Sequence, residues 1–445
     1  MDLRAAGVDP ALASVFPVSA GVGRDGRLAL AGVDCRALAE RFGTPLYVFD
    51  TATLRAQARA FRDEFAARYP AVRVAYAAKA TIGRWLARLL DAEGLGFDVV
   101  SGGELAAVLA GGVSPKKVHF HGNNKLPAEL EEALDAGVDC VVVDNFYELE
   151  LLDGLARRRG ARQDVLLRVA PGIDPHTHAH TTTGTLDSKF GFPIATSAAE
   201  EAVRRAMVAP GLRLRGIHAH LGSPIFETEP YRLAIEVMLD FAARMQERYR
   251  MPLEEFSPGG GFAIQYVREQ PAPPPAEYAG VICGTLRRGC ERHGLPLPRL
   301  LIEPGRATVG RAGVALYRVG ARKEVPGVRT FVSVDGGMAD NIRPAIYGSR
   351  YEAVSADRPL APAEETVTVA GRYCESGDVL IRDIPLPRLD PGELLAVPAA
   401  GAYCMAMSSN YNWAPRPAVV LVEDGRAQLV RRRETYDDLL RCEVD

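Results

Sequence analysis

Several apolar runs in this 445-residue chain end on residues that can do chemistry. Lys79 closes the run VRVAYAAKA at 72–80. Comparable runs lead to Ser101-Gly102-Gly103-Glu104, to His121, to Arg168, to His218 and His220 with Ser223, to Gly259-Gly260-Gly261, and to Glu303 with Gly305 and Arg306. A lysine amine joins an aldehyde through a Schiff base when it is neutral, and burial beside an apolar strand favours the neutral form. Backbone free of side chains lets N–H groups approach an anion closely, which is what consecutive glycines offer. An amine and an anion clamp together suit an aldehyde cofactor that carries a phosphate, namely pyridoxal phosphate. Plainer readings stand beside these: a strand-end lysine is most often a solvated charge, three glycines also make a flexible turn, and a glutamate before Pro304 also starts a helix.

The histidines suggest a different chemistry. His218 and His220, two apart on a strand, share one face as metal ligands do, and His176, His178 and His180 repeat the spacing. The carboxylate and lysine pattern of a binuclear hydrolase does not accompany them, so no metal is expected.

The elements that would carry these residues alternate regularly. Strand-like runs fall at Val72–Ala78, Gly96–Val100, Lys117–His121, Asp139–Asp144, Asp164–Ala170, Leu212–His220, Glu255–Pro258 and Arg299–Glu303, with helical patterns such as Ile82–Glu93, Tyr231–Tyr249 and Glu277–His293 between them. Eight βα units predict an α/β fold, a closed (β/α)8 TIM-type barrel over 49–312. An open doubly wound sheet competes, but no Gly-x-Gly-x-x-Gly follows the first strand. In a barrel, chemistry collects at the C-terminal strand ends, and phosphate binds after strands seven and eight; that position favours the anion reading of Gly259–Gly261. Past Arg311 short strand-like runs separated by Gly, Pro and Asp predict an all-β domain, and the first residues share that character, so 1–48 and 313–445 form one discontinuous β domain. The prolines at 271–275 read as a stiff loop.

With 53 basic and 56 acidic residues and a net charge of -3, the chain has no electrostatic reason to bind nucleic acid or an anionic membrane. A small molecule is the expected ligand. Seven scattered cysteines without a C-x-x-C pair, and no apolar leader or spanning stretch, predict a cytoplasmic protein with reduced thiols.

The chain resembles the diaminopimelate decarboxylases, which belong with alanine racemase and ornithine decarboxylase to the barrel-type pyridoxal-phosphate enzymes. The resemblance rests on YAAKA at 76–80, FDVVSGGEL at 97–105, HTHAHTTTGTLDSKFGF at 176–192 and HAHLGSPIFE at 218–227. It continues through GGGF at 259–262, EPGR at 303–306, IRPAIYG at 342–348, CESGD at 374–378 and GAYCMAMSSNYN at 401–412. It implies an alanine racemase-like fold, in which Lys79 joins the cofactor aldehyde, Glu303 faces the pyridine nitrogen, and His220 stacks on the ring. Ser223, Gly259, Gly260, Gly261, Gly305, Arg306 and Tyr403 complete the cofactor site.

Arg306, Arg343, Tyr347, Glu375 and Tyr403 match substrate-binding positions. Two arginines suit a carboxylate and repel a bare ammonium, which favours meso-diaminopimelate, converted to L-lysine, over ornithine or lysine. Either arginine could instead pair with a structural acid such as Glu352. Cys374 matches the residue that returns a proton to Cα; the family supplies it with Glu375 from the neighbouring subunit, which implies a homodimer with shared sites. Thr81, Ala219 and Pro224 depart from the family pattern and leave open a same-fold decarboxylase for another, or a carrier-tethered, amino acid.

Overall fold

The computed structural model describes residues 1–173 and 189–444. The chain divides into two compact units, one of Ala58–Ala263 with Pro273–Gly305, the other of Met1–Gln57, Ile264–Ala272 and Arg306–Asp445.

The first unit is the closed barrel. Its parallel strands are β1 (Val72–Ala77), β2 (Gly96–Val99), β3 (Val118–Phe120), β4 (Cys140–Val143), β5 (Gln163–Ala170), β6 (Leu212–His218), β7 (Glu255–Gly260) and β8 (Arg299–Glu303). They pair in that order, and β8 returns to β1 through Leu300 and Val72, so no edge is left open. Most of these strands are buried along nearly their whole length because both faces are covered, one by the barrel interior and one by helices, and polar residues such as Asp98, His119 and Glu255 interrupt their apolar runs. Alternation along the chain was therefore a better guide than polarity.

The helices begin where local chemistry starts them. Ser101 Oγ accepts the Glu104 N–H at 3.2 Å, and Glu104 Oε2 accepts the Val100 N–H at 2.8 Å, so the Ser-Gly-Gly-Glu stretch caps the helix Gly102–Ala110. The proline-rich stretch is more than a stiff loop, since Pro275 opens the helix Pro275–His293, where its missing N–H costs nothing.

The N-terminal ends of the strands are closed by a buried ionic network. Glu255, fully buried, contacts His119 at 2.7 Å and Arg215 at 2.8 Å and also pairs with Arg299. Arg215 reaches Asp139 at 3.2 Å and Asp164 at 3.1 Å. Charges inside a barrel persist only when paired in this way.

The second unit is β-rich and joins both ends of the chain. Leu46–Asp50 pairs antiparallel with Gly313–Val325 and parallel with Ala418–Glu423. Leu46, Val48, Val314, Leu316, Val420 and Val422 pack in its core. Besides short strands such as Ala20–Val22, Val33–Asp34 and Val354–Ser355, the sequence reading missed Val379–Leu386 and Arg426–Arg431. Of these last two, the first contains Asp383 and Pro385, the second begins and ends on arginine and is mostly exposed, and each ends the sheet path. Charge and proline are what protect an edge from pairing further, and they also hide it from a hydrophobic pattern. Among the described residues, no helix is long and apolar enough to cross a membrane.

Candidate active site

The C-terminal ends of the barrel strands surround a cavity of about 710 Å3. Lys79, Asp98, His121, Arg168, His218, His220 and Glu303 line it, together with Gly222 and Phe190. Lys79 sits on the single turn Ala78–Ala80 that ends β1. The flanking Ala78 and Ala80 are buried while Lys79 itself is exposed and lines the cavity, rather than being buried beside the strand. An alanine-rich turn explains the geometry: small neighbours pack inward and the one long side chain has only the mouth to enter. Thr81 follows, with its carbonyl accepting the Tyr76 hydroxyl at 2.6 Å.

Glu303 is the most elaborately held group in the cavity. Its carboxylate meets His218 Nε2 at 3.0 Å and accepts the Ser257 hydroxyl at 3.0 Å, and His121 Nε2 lies 3.8 Å from it and 3.6 Å from Asp98. Burial alone would raise this carboxyl, but His218, the hydrogen bonds from His218 and Ser257, and the charge of Lys79 together hold it below the ordinary glutamate value. Asp98 goes the other way: burial, and then the neighbouring Glu303, push it well above the usual aspartate value. Two buried carboxyls with opposed environments divide into one ionised and one neutral. Burial, followed by the charges of Lys79 and Arg168, lowers the His220 imidazole and keeps it neutral. Burial and His218 do the same to His121, whose ring stands edge-on to His218 at 4.9 Å. Arg168 lies 3.6 Å from Asp144 and 4.3 Å over the Phe190 ring.

His121, His218 and Glu303 bring potential metal-ligand atoms within 4.8 Å of one another. This is not the pair expected from sequence, since His220 takes no part and instead accepts the Gly260 N–H at Nδ1, 3.4 Å away. His176, His178 and His180 lie outside the described residues.

The glycines have a packing reason of their own. A Cβ on Gly259 would fall 2.4 Å from the Ala219 carbonyl, on Gly260 2.0 Å from the Glu303 carbonyl, and on Gly261 2.2 Å from the Gly222 carbonyl. Gly259 and Gly261 also have φ of +83° and +97°. The triplet thus presses against the Ala219–Gly222 segment and against Glu303, behind the cavity wall, and does not itself line the cavity. Gly305 likewise has Ala77 2.9 Å from its absent Cβ, which lets β8 continue close beside β1.

In the β-rich unit, Arg306, Arg343 and Tyr403 come together around two residues the sequence reading passed over, Tyr266 and Tyr351. Arg306 donates to the Tyr266 hydroxyl at 2.6 Å and lies 4.8 Å from the Tyr403 ring centre. Arg343 lies 4.6 Å from the Tyr266 ring centre and donates to the Tyr351 hydroxyl. Glu352 pairs with Arg268 at 2.9 Å, which removes it as the partner of either arginine. Tyr266 follows the glycine triplet in a stretch without regular structure, where no periodicity marks it. Tyr347, Cys374 and Glu375 are exposed. The loop bearing the last two is fixed by Asp378, whose carboxylate accepts the Met338 N–H at 2.7 Å and the Tyr373 N–H at 2.8 Å. The Cys374 N–H donates to Asn412 at 2.9 Å. Ser223 lies past β6 at a cis bond to Pro224.

Residues 51–310 match the family described as pyridoxal-dependent decarboxylase, pyridoxal binding domain. The diaminopimelate decarboxylase of Bacillus subtilis is 46% identical over 94% of this chain and 95% of its own. The crystal structure of diaminopimelate decarboxylase from M. jannaschii in co-complex with L-lysine superposes with a TM-score of 0.90 at 33% identity, covering 96% of this chain and 98% of that one. A lysine/ornithine decarboxylase from Vibrio vulnificus complexed with putrescine reaches 0.73 at 26% identity, covering 87% and 97%.

Proposed function

The chain belongs to the diaminopimelate decarboxylase family of pyridoxal-dependent decarboxylases, and we propose that it converts meso-diaminopimelate to L-lysine and carbon dioxide with pyridoxal 5'-phosphate. The observation that carries this reading is the cavity wall that presents Lys79, His220 and an ionised Glu303 together.

The residues fit the cofactor. A cavity of about 710 Å3 is the right size for a small organic cofactor. Its buried wall holds Asp98 Oδ1, His121 Nε2 and His218 Nδ1 without hydrogen-bond partners, and a polar group has few other reasons to be left so. When bound, the cofactor supplies an electron sink for the pair left behind as carbon dioxide departs. Lys79 offers the amine that attaches it. Glu303, negative and fixed by His218 and Ser257, holds a proton at the ring nitrogen. His220, neutral and backed by the Gly260 N–H, presents an aromatic face to the ring. We assign the phosphate end to Ser223, Gly259, Gly260, Gly261 and Gly305, with the glycine triplet acting from behind the cavity wall through its backbone, and we also assign Arg306 and Tyr403 to the cofactor.

Substrate selection falls to Arg306, Arg343, Tyr347, Glu375 and Tyr403. Arg343 is buried, and among the described residues no carboxylate pairs with it. A buried cation without a counter-charge is strongly unfavourable, so an anionic ligand is the natural complement, and the far carboxylate of diaminopimelate provides one. Cys374 returns the proton to the carbon that loses carbon dioxide. Its exposure and that of Glu375 suit a homodimer in which these two residues serve the partner's site, and we place that dimer in the cytoplasm. Incubation of the purified holoenzyme with meso-diaminopimelate should release carbon dioxide and L-lysine in equal amounts. Absence of lysine from a preparation that carries its cofactor would refute the substrate assignment.

A further inference from the structure

Two arginines in one chain are buried to a similar degree and held by opposite chemistry. Arg215 is surrounded by Glu255, Asp139 and Asp164, so its charge is cancelled on the spot. Arg343, just as buried, meets no carboxylate among the described residues and instead lies against the Tyr266 ring at 4.6 Å, the Tyr351 ring at 5.5 Å and the Tyr351 hydroxyl. Aromatic faces and phenol oxygens stabilise a guanidinium without neutralising it. The charge stays available to a ligand.

Tyr266 touches both arginines of this cluster. Its hydroxyl accepts Arg306 Nη1 at 2.6 Å, and its ring face carries Arg343. One planar side chain therefore sets where each guanidinium points. The template is rigid. Tyr351 stands edge-on to Tyr266 at 5.6 Å. On one side of Tyr266, Gln265 accepts the Ser14 hydroxyl at 2.8 Å; on the other, Arg268 bonds Glu352, with its N–H at 3.0 Å and a guanidinium nitrogen at 2.9 Å. Glu352 is the neighbour of Tyr351, so a single carboxylate ties the two tyrosine-bearing segments together.

We propose that Tyr266 is a positioning residue that fixes the spacing of Arg306 and Arg343 and thereby makes the site demand a carboxylate on the far end of its substrate. The proposal rests on the reading above in which both arginines hold substrate. Tyr266→Phe keeps the ring under Arg343 and removes the acceptor for Arg306; Tyr266→Leu removes both.

The test is steady-state kinetics on the holoenzyme together with calorimetric binding of L-lysine and of 1,5-diaminopentane, which is lysine without its carboxylate. Tyr266→Phe should raise KM for meso-diaminopimelate about tenfold and Tyr266→Leu about a hundredfold, with kcat changed by less than about threefold. The preference for L-lysine over the diamine should fall in step, and cofactor content, read by visible absorbance, should stay that of the wild type. A merely structural tyrosine would lower kcat, cofactor content and melting temperature together and leave the lysine-to-diamine preference intact, which would overturn the proposal. So would a Tyr266→Phe enzyme with the KM of the wild type. If wild-type enzyme fails to act on meso-diaminopimelate, the substrate assignment falls, while the binding preference still decides the role of Tyr266. Should Tyr266→Leu not fold, Tyr266→Phe alone decides.

Discussion

Exchange of Glu303 for glutamine removes one negative charge and almost no volume. In the folded protein this carboxylate is buried, meets His218 Nε2 at 3.0 Å and accepts the Ser257 hydroxyl at 3.0 Å. Glutamine retains an oxygen for Ser257, so the local fold should survive and only the charge disappears. A hydrogen bond to a charged partner contributes about 1.5 to 3 kcal/mol, which corresponds to roughly 10- to 150-fold in rate if it is needed in the transition state. Glu303→Gln should therefore lower kcat for meso-diaminopimelate by that range at neutral pH, with cofactor still bound and visible in the absorbance spectrum. Asp98→Asn is the matched control. Burial and Glu303 raise the Asp98 carboxyl well above its ordinary value, so it is already neutral and asparagine changes little of its charge. Its kcat should stay within about threefold of wild type. If Asp98→Asn costs as much as Glu303→Gln, or if Glu303→Gln is fully active, the division into one ionised and one neutral carboxyl is wrong.

Further outcomes can be checked independently. Mixing inactive Lys79→Ala and Cys374→Ala proteins and allowing subunits to exchange should restore about a quarter of wild-type activity, because half the dimers are then mixed and each mixed dimer has one intact site; no recovery would contradict shared sites. Glu255→Ala leaves His119 and Arg215 without their buried acid and should destabilise the barrel by about 3 to 5 kcal/mol, read from the urea midpoint. Burial raises the Asp340 carboxyl to about 6 against the hydrogen bonds from Tyr317, Gly337 and Tyr47. Its contribution to stability is thus complete below the unfolded value and is lost as pH rises through about 6, so melting temperature should decline between about pH 4 and 7 more steeply in wild type than in Asp340→Asn. Equal slopes would show that another group governs that window.

How far the sequence reached differs between the two units. Eight alternating runs determine a barrel because right-handed parallel crossovers leave few other closures; the strand ends then offer Lys79, His121, Arg168, His218, His220 and Glu303 as candidates, and the family resemblance selects Lys79, His220 and Glu303 from them. Ile264–Ala272 shows the limit. It has neither alternation nor helical period, and the prolines beside it read as a loop, yet it carries Tyr266. Its importance comes from partners 40 and more residues away, at Arg306 and Arg343, and sequence order does not encode that distance.

What the sequence determined by itself is the inventory and the frame: a barrel, an added β unit from both ends, and a lysine, a glutamate and a histidine at strand ends. Those follow from hydrophobic period and residue type, which are local properties. What the tertiary structure decided is the state of each group. Lys79 is exposed because its neighbours are alanines that pack inward, and the Glu303 and Asp98 carboxyls shift in opposite directions because one meets His218 and Ser257 and the other meets Glu303. Glu352 is withdrawn from the arginines because Arg268 reaches it first. Charge, exposure and pairing are sums over neighbours in space, and only the folded chain sets those neighbours.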